Sequence, residues 1–155
     1  MPRAALVAAM CLLLALLGPG CGRDDNQTTF SAAPLSGSNQ VPARTTAATG
    51  DASFTAEGTA VSFSLELRRI SGVTAVHLHS GTPGGHGPLR VDLYPGPVTG
   101  AVSGTLADDT FTEGDVRGLT LGQLLDQMAS GAAYVDVHTT AFPDGELRAQ
   151  LRREQ

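Results

Sequence analysis

The chain contains no lysine, so its ten basic side chains are all arginines, and fifteen Asp and Glu leave a formal net charge of −5. Those arginines are scattered rather than clustered. A nucleic-acid partner is excluded on that ground, because a DNA or RNA binder needs a concentrated basic surface to displace counterions. The acidic surplus speaks for solubility instead. Cysteine is nearly as scarce. There are two, Cys11 inside the apolar run Ala4–Leu17 and Cys21 just after it. The sequence beyond residue 21 therefore has no thiol with which to close a disulfide or attack a substrate. What it has in quantity is glycine and proline, 19 and 9 residues, which punctuate short segments of alternating polarity.

Residues 1–20 read as an export signal. Arg3 provides a positive start, and Ala4–Leu17 is uncharged and rich in Leu and Ala, as the apolar core of such a signal must be. The run is too short to span a bilayer comfortably. Leu17-Gly18-Pro19-Gly20-Cys21 resembles the lipobox at which bacterial lipoproteins are cleaved and acylated, with Gly18 and Pro19 in place of commoner residues. That resemblance implies a lipid attached at Cys21, a membrane partner through the lipid, and a place in the cell envelope as a periplasmic or outer-membrane lipoprotein, with plain secretion as the other outcome. Residues 21–29 are polar and aperiodic, a flexible tether. The folded domain is expected over 30–152, a single unit of ordinary size.

Within it, the side chains alternate as strands require. Val61, Phe63, Leu65 and Leu67 fall on one face, and Ser62, Ser64, Glu66 and Arg68 on the other. Ala52, Phe54 and Ala56 form the preceding inward row, and Glu57-Gly58 is the expected hairpin turn. One stretch departs from this period: Thr120 and Gln123 form a capping box ahead of Leu121, Leu124, Leu125 and Met128 at helical spacing, with Gly131 as the stop. This predicts one short helix whose apolar stripe packs on the core.

The chemistry is concentrated on the polar faces of a few strands. Val76 and Leu78 point one way, so His77 and His79 point the other; Val135 and Val137 leave Asp136 and His138 together. By the same parity Arg90, Asp92 and Tyr94 oppose Leu89, Val91 and Leu93, and Glu146, Arg148 and Gln150 oppose Leu147 and Leu151. If these strands are neighbours, one surface carries His77, His79, His138, Asp92, Asp136, Glu146 and Arg148, with His86 reaching it from the Gly81–Pro88 loop. Two readings follow. Either the imidazoles and carboxylates hydrogen-bond one another and the loop backbone, or His77, His79 and His138 bind copper or zinc, since imidazoles at i and i+2 of a strand converge on one ion. Nucleophilic catalysis is disfavoured because Ser80, adjacent to His79, points away from it. A glycosidase carboxylate pair among Asp92, Asp136 and Glu146 is not selected by spacing. The glycine loop lacks the lysine and the following helix of a phosphate loop.

Three blocks in order carry a family resemblance: Leu35-Ser-Gly-Ser-Asn-Gln-Val-Pro42, then Val76-His-Leu-His-Ser-Gly-Thr-Pro-Gly-Gly-His-Gly-Pro88, then Tyr134-Val-Asp-Val-His-Thr139 with Asp144-Gly-Glu-Leu-Arg-Ala-Gln-Leu151. They resemble the "LSG..EVPP", "HIH.G..G..GP" and "YVNVHT...GEIRGQL" blocks of the CHRD domain, the repeated module of chordin and of many bacterial envelope proteins. Gln40 stands where Glu is usual, Ala43 for a second Pro, Asp136 for Asn and Ala149 for Gly. The resemblance implies a binding or structural module rather than a given reaction. Locally, a His-x-His strand followed by a glycine-rich loop is also similar to Cu/Zn superoxide dismutase, though the further His and Asp set that holds zinc there has no counterpart among four histidines. Together these readings predict an all-β, antiparallel, Greek-key-like sandwich or barrel of about eight strands with one short helix. Its expected role is that of a non-enzymatic extracytoplasmic module with a protein ligand, the alternative being a copper or zinc domain.

Overall fold

The computed structural model describes residues 27–155. The export signal and Cys21 lie outside the described residues. Strands β1 (Gln27–Ser36), β2 (Thr49–Glu57), β3 (Ala60–Ser71), β4 (Val73–Ser80), β5 (Leu89–Tyr94), β6 (Ala101–Thr112), β7 (Ala133–Thr139) and β8 (Leu147–Gln150) form one antiparallel sheet in the order β5-β4-β7-β8-β1-β2-β3-β6, and the short β9 (Arg152–Arg153) adds to β1. The two end strands, β5 and β6, approach each other. The sheet therefore curls into a nearly closed barrel-like form rather than splitting into two stacked layers. Closure of this kind leaves little unpaired edge to aggregate.

Alternation explains the core. Val61, Phe63, Leu65 and Leu67 of β3 are buried beside Ala52, Phe54 and Ala56 of β2, and the rings of Phe54, Phe63 and Phe111 line up with centroids 6.1 and 6.2 Å apart. The hairpin joining them pairs Glu57 with Ala60, so its two central residues are Gly58 and Thr59, one position later than the sequence suggested. Gly58 takes a left-handed backbone there, φ 58°, which a side chain would resist. The sheet also starts earlier than Phe30: the polar Gln27, Thr28 and Thr29 already pair with Glu57, Ala56 and Thr55, because ladder hydrogen bonds do not need apolar side chains.

The helix α1 (Leu121–Ser130) forms where the capping box placed it. Thr120 Oγ1 accepts from Gln123 N at 3.2 Å, Gln123 Oε1 accepts from Thr120 N at 3.0 Å, and Gly131 ends the helix at φ 74°. Leu121, Leu124 and Met128 are buried, against a structure in which α1 packs on β7 and β9.

The polar face of β4, β7 and β8 is not a wet surface: Asp136, Glu146 and Arg148 are 7 %, 7 % and 2 % exposed. Two connections roof it. The Gly81–Pro88 loop lends the carbonyls of Gly85 and Thr82 to Arg148 Nη2, at 2.8 and 3.4 Å. The segment after β1 sends Asn39 Nδ2 to the Arg148 carbonyl at 3.0 Å, Gln40 Nε2 to Asp136 and Thr46 Oγ1 to Glu146. Buried polar atoms need such partners, so this side of the sheet is a second, hydrogen-bonded interior.

Candidate metal centre

Strands β4 and β7 are neighbours, with His77 opposite Asp136 and Ala75 opposite His138. On the other flank of β4, Asp92 of β5 lies opposite His77, and beyond β7 Arg148 of β8 lies opposite Asp136. A single row, Asp92, His77, Asp136, Arg148, thus crosses four strands. His79 and His138 flank it on either side of His77.

Within this row three imidazoles converge. His77, His79 and His138 each offer a ring nitrogen, and the three nitrogens lie within 4.8 Å of one another. Ring centroids are 4.8 Å apart for His77 and His138 and 5.6 Å for His77 and His79. Tetrahedral zinc with bonds of about 2.0–2.1 Å sets its ligands roughly 3.3 Å apart, so side-chain adjustments of at most about 1.5 Å close the set on one ion.

The protonation state of two of these rings follows from their partners. His79 Nδ1 is 3.0 Å from the Gly87 carbonyl and His138 Nδ1 is 2.9 Å from the Pro143 carbonyl. A carbonyl only accepts, so each Nδ1 carries a proton. In the neutral ring Nε2 is then left with a free lone pair. Both Nε2 atoms are buried and have no hydrogen-bond partner among the described residues. This is the arrangement a metal-ligating histidine uses, one nitrogen fixed by an outer oxygen and the other free for the ion. His77 has an outer oxygen too, since its Nε2 stands 3.4 Å from Asp92 Oδ1.

The surroundings favour the neutral form of His77 and His79. His77 titrates below the usual imidazole value, first through burial and then through repulsion by His138 and His79, with Asp92 and Asp136 opposing. His79 is lowered mainly by burial too, against the Gly87 hydrogen bond and Asp136. Neutral imidazole is the form that binds metal. Solvent reaches the group chiefly at His77 and His138, whose side chains are 23 % and 17 % exposed.

Of the other side chains expected here, two carboxylates lie within 4.0 Å of the imidazoles, Asp92 and Asp136. Asp136 Oδ1 accepts from Gln40 Nε2 at 2.6 Å, and its Oδ2 lies 3.9 Å from His138 Nε2. Asp92 divides its carboxylate between His77 and Arg117. Glu146 faces away, accepting from Thr46 Oγ1 at 2.7 Å and Thr139 Oγ1 at 2.8 Å. Arg148 holds the loop and lies over the Tyr134 ring, 3.5 Å from guanidinium carbon to centroid. His86 is exposed on the loop and outside the imidazole group, because the loop turns its backbone rather than that side chain toward the sheet. Ser80 Oγ is taken up by Arg90 and Gln127.

Two participants escaped the sequence reading. Tyr134 stacks on His79, with centroids 5.1 Å apart and an 8° interplanar angle, and its hydroxyl accepts from Gly87 N at 3.3 Å. The parity that placed Asp136 and His138 on this face places Tyr134 there as well, so that signal was present. Gln40 sits in an irregular segment where no periodicity operates. Its contact nevertheless joins two of the departures noted above. The contact pairs one amide with one carboxylate, and the negative charge lies on the strand that carries His138.

An antiparallel, barrel-like β domain with a half-buried histidine group beneath a glycine-rich loop is what fold and site define. A family model described as the CHRD domain matches residues 31–151, and the chain belongs to that family. No curated protein and no solved structure matches it.

Proposed function

We propose that this chain is a non-enzymatic module of the cell envelope, anchored through Cys21, that binds one zinc or copper ion with His77, His79 and His138. CHRD membership supports the coarse part, a binding or structural module. The lipobox-like run at residues 17–21 supports the anchor. One observation carries the metal: two buried Nε2 lone pairs, on His79 and His138, without a protein partner. A structural histidine spends both nitrogens, since a buried polar atom left unpaired costs about 1–3 kcal/mol. Here the loop carbonyls satisfy the Nδ1 side only, and one nitrogen from each of the three rings lies within 4.8 Å of the others. A bound ion turns that cost into coordination.

The test is a set of melting temperatures for tag-free wild type, His77→Ala, His79→Ala and His138→Ala, each with chelator and with zinc or copper. An ion bound at a concentration 100 times its Kd adds about 2.7 kcal/mol to wild type. Each variant should lose most of that gain while remaining folded with chelator. A wild-type melting point that neither metal moves would end the proposal.

A further inference from the structure

Imidazole binds a metal in its uncharged form, so a bound ion would bring its whole charge into a half-buried place. Only a nearby anion makes that acceptable. Among the described residues Asp136 is placed to be that anion. Its side chain is 10 % exposed, and no arginine stands at ion-pair distance from it; the one basic nitrogen within 4.0 Å is His138 Nε2. Its Oδ1 is fixed by the Gln40 amide, a neutral donor. The surroundings are built for this pair. Gly145 has φ 114°, and a methyl group there would come within 2.5 Å of Gln40 Nε2 and 2.6 Å of Asp136 Oδ1. The result is a carboxylate held on one oxygen, with the other directed toward the imidazole group and, among the described residues, no arginine within 4.0 Å of it.

Resting on the metal reading above, we infer that Asp136 is the counter-charge of the site and sets its preference for a divalent over a monovalent ion. The physics gives this a signature. The energy between a fixed charge and an ion is proportional to the charge of the ion, so removing the carboxylate costs a 2+ ion twice the free energy it costs a 1+ ion. In affinities, the fold-loss for zinc is about the square of the fold-loss for Cu(I). A purely structural role for Asp136 weakens both ions by the same factor.

The experiment measures Zn(II) and, without oxygen, Cu(I) affinities of the full chain by competition with coloured chelators. Three proteins are compared: wild type, Asp136→Asn, and the exchange Gln40→Glu with Asp136→Asn, which keeps one carboxylate and one amide in contact but returns the charge to the far side. For Asp136→Asn we expect zinc to weaken by about 10–100-fold and Cu(I) by about 3–10-fold. The exchanged pair should recover part of the zinc loss. Equal losses for the two ions, or no loss, overturn the inference while leaving the metal site standing. A wild type that binds neither ion removes the metal reading itself, and this inference with it. Apo melting temperatures report folding throughout. Should Asp136→Asn alone fail to fold, the exchanged pair decides by the same criterion, a zinc-to-Cu(I) affinity ratio below that of wild type.

Discussion

Mild acid should destabilise the metal-free domain before the ordinary carboxylate range is reached. His77 and His79 are both held below the ordinary imidazole value in the folded state, chiefly by burial, while in the unfolded chain they return to about 6.5. Below that pH the unfolded chain binds more protons than the folded one, so stability falls as pH falls. The contribution is complete above about pH 6.5 and is lost progressively down to the folded-state values. Each ring can remove at most about 1.4 kcal/mol per pH unit, and the two together about 2.7 kcal/mol. The neighbours limit this: Asp92 on β5 and Asp136 on β7 favour the charged form of His77, and the Gly87 carbonyl and Asp136 favour that of His79, while His138 opposes both and Arg148 opposes His79. Urea denaturation with chelator at pH 7.5, 6.5 and 5.5 measures the effect. Against a domain stability of about 5–15 kcal/mol, a loss of 1 kcal/mol or more between pH 6.5 and 5.5 is easily resolved. His77→Gln with His79→Gln should flatten the curve. A wild-type midpoint that is level or rises toward pH 5.5, or an equal slope in the double variant, refutes the reasoning.

Phe63→Ala removes a ring packed between Phe54 and Phe111 and should cost about 3–5 kcal/mol, whereas Ser64→Ala on the opposite face should stay within about 0.5 kcal/mol; equal shifts of the urea midpoint would contradict the strand phase. In Gly87→Ala the new methyl group runs into the Ser80 carbonyl oxygen, so the loop must move and release His79 Nδ1. The melting temperature should fall and zinc affinity should drop about tenfold or more, and an unchanged affinity by chelator competition would show that the loop does not set the ring. Cys21→Ser should leave the chain unprocessed or free it from the membrane, since the proposed hold there is the lipid on Cys21; failure of labelled palmitate to enter the wild type would remove the anchor.

Much of this architecture was legible because strand parity is a strong local signal. The rows Val61–Leu67 and Ala52–Ala56, the helix from Thr120 to Gly131, and the common face of His77, His79, Asp136 and His138 all follow from period two or from capping chemistry. Parity does not say which strands are adjacent, and β4 meets β7 across more than fifty intervening residues only through the folded sheet. It is equally silent about irregular segments. The roof over Asp136 and Arg148, with Gln40, Thr46 and the Gly87 and Pro143 carbonyls, comes from loops whose contacts are set by tertiary closure. The partners of the polar face could therefore not be named beforehand, and His86 read as near enough to join it. The expected export signal is a different matter, since it rests on composition alone and lies outside the described residues.

The measurement closest to the central claim is X-ray absorption of the zinc-loaded protein at one equivalent and neutral pH. The convergence of His77, His79 and His138 predicts three imidazole nitrogens at about 2.0–2.1 Å, falling to two in His138→Ala. A shell of oxygens alone, or an imidazole count in wild type that the His138 substitution does not change, would contradict it.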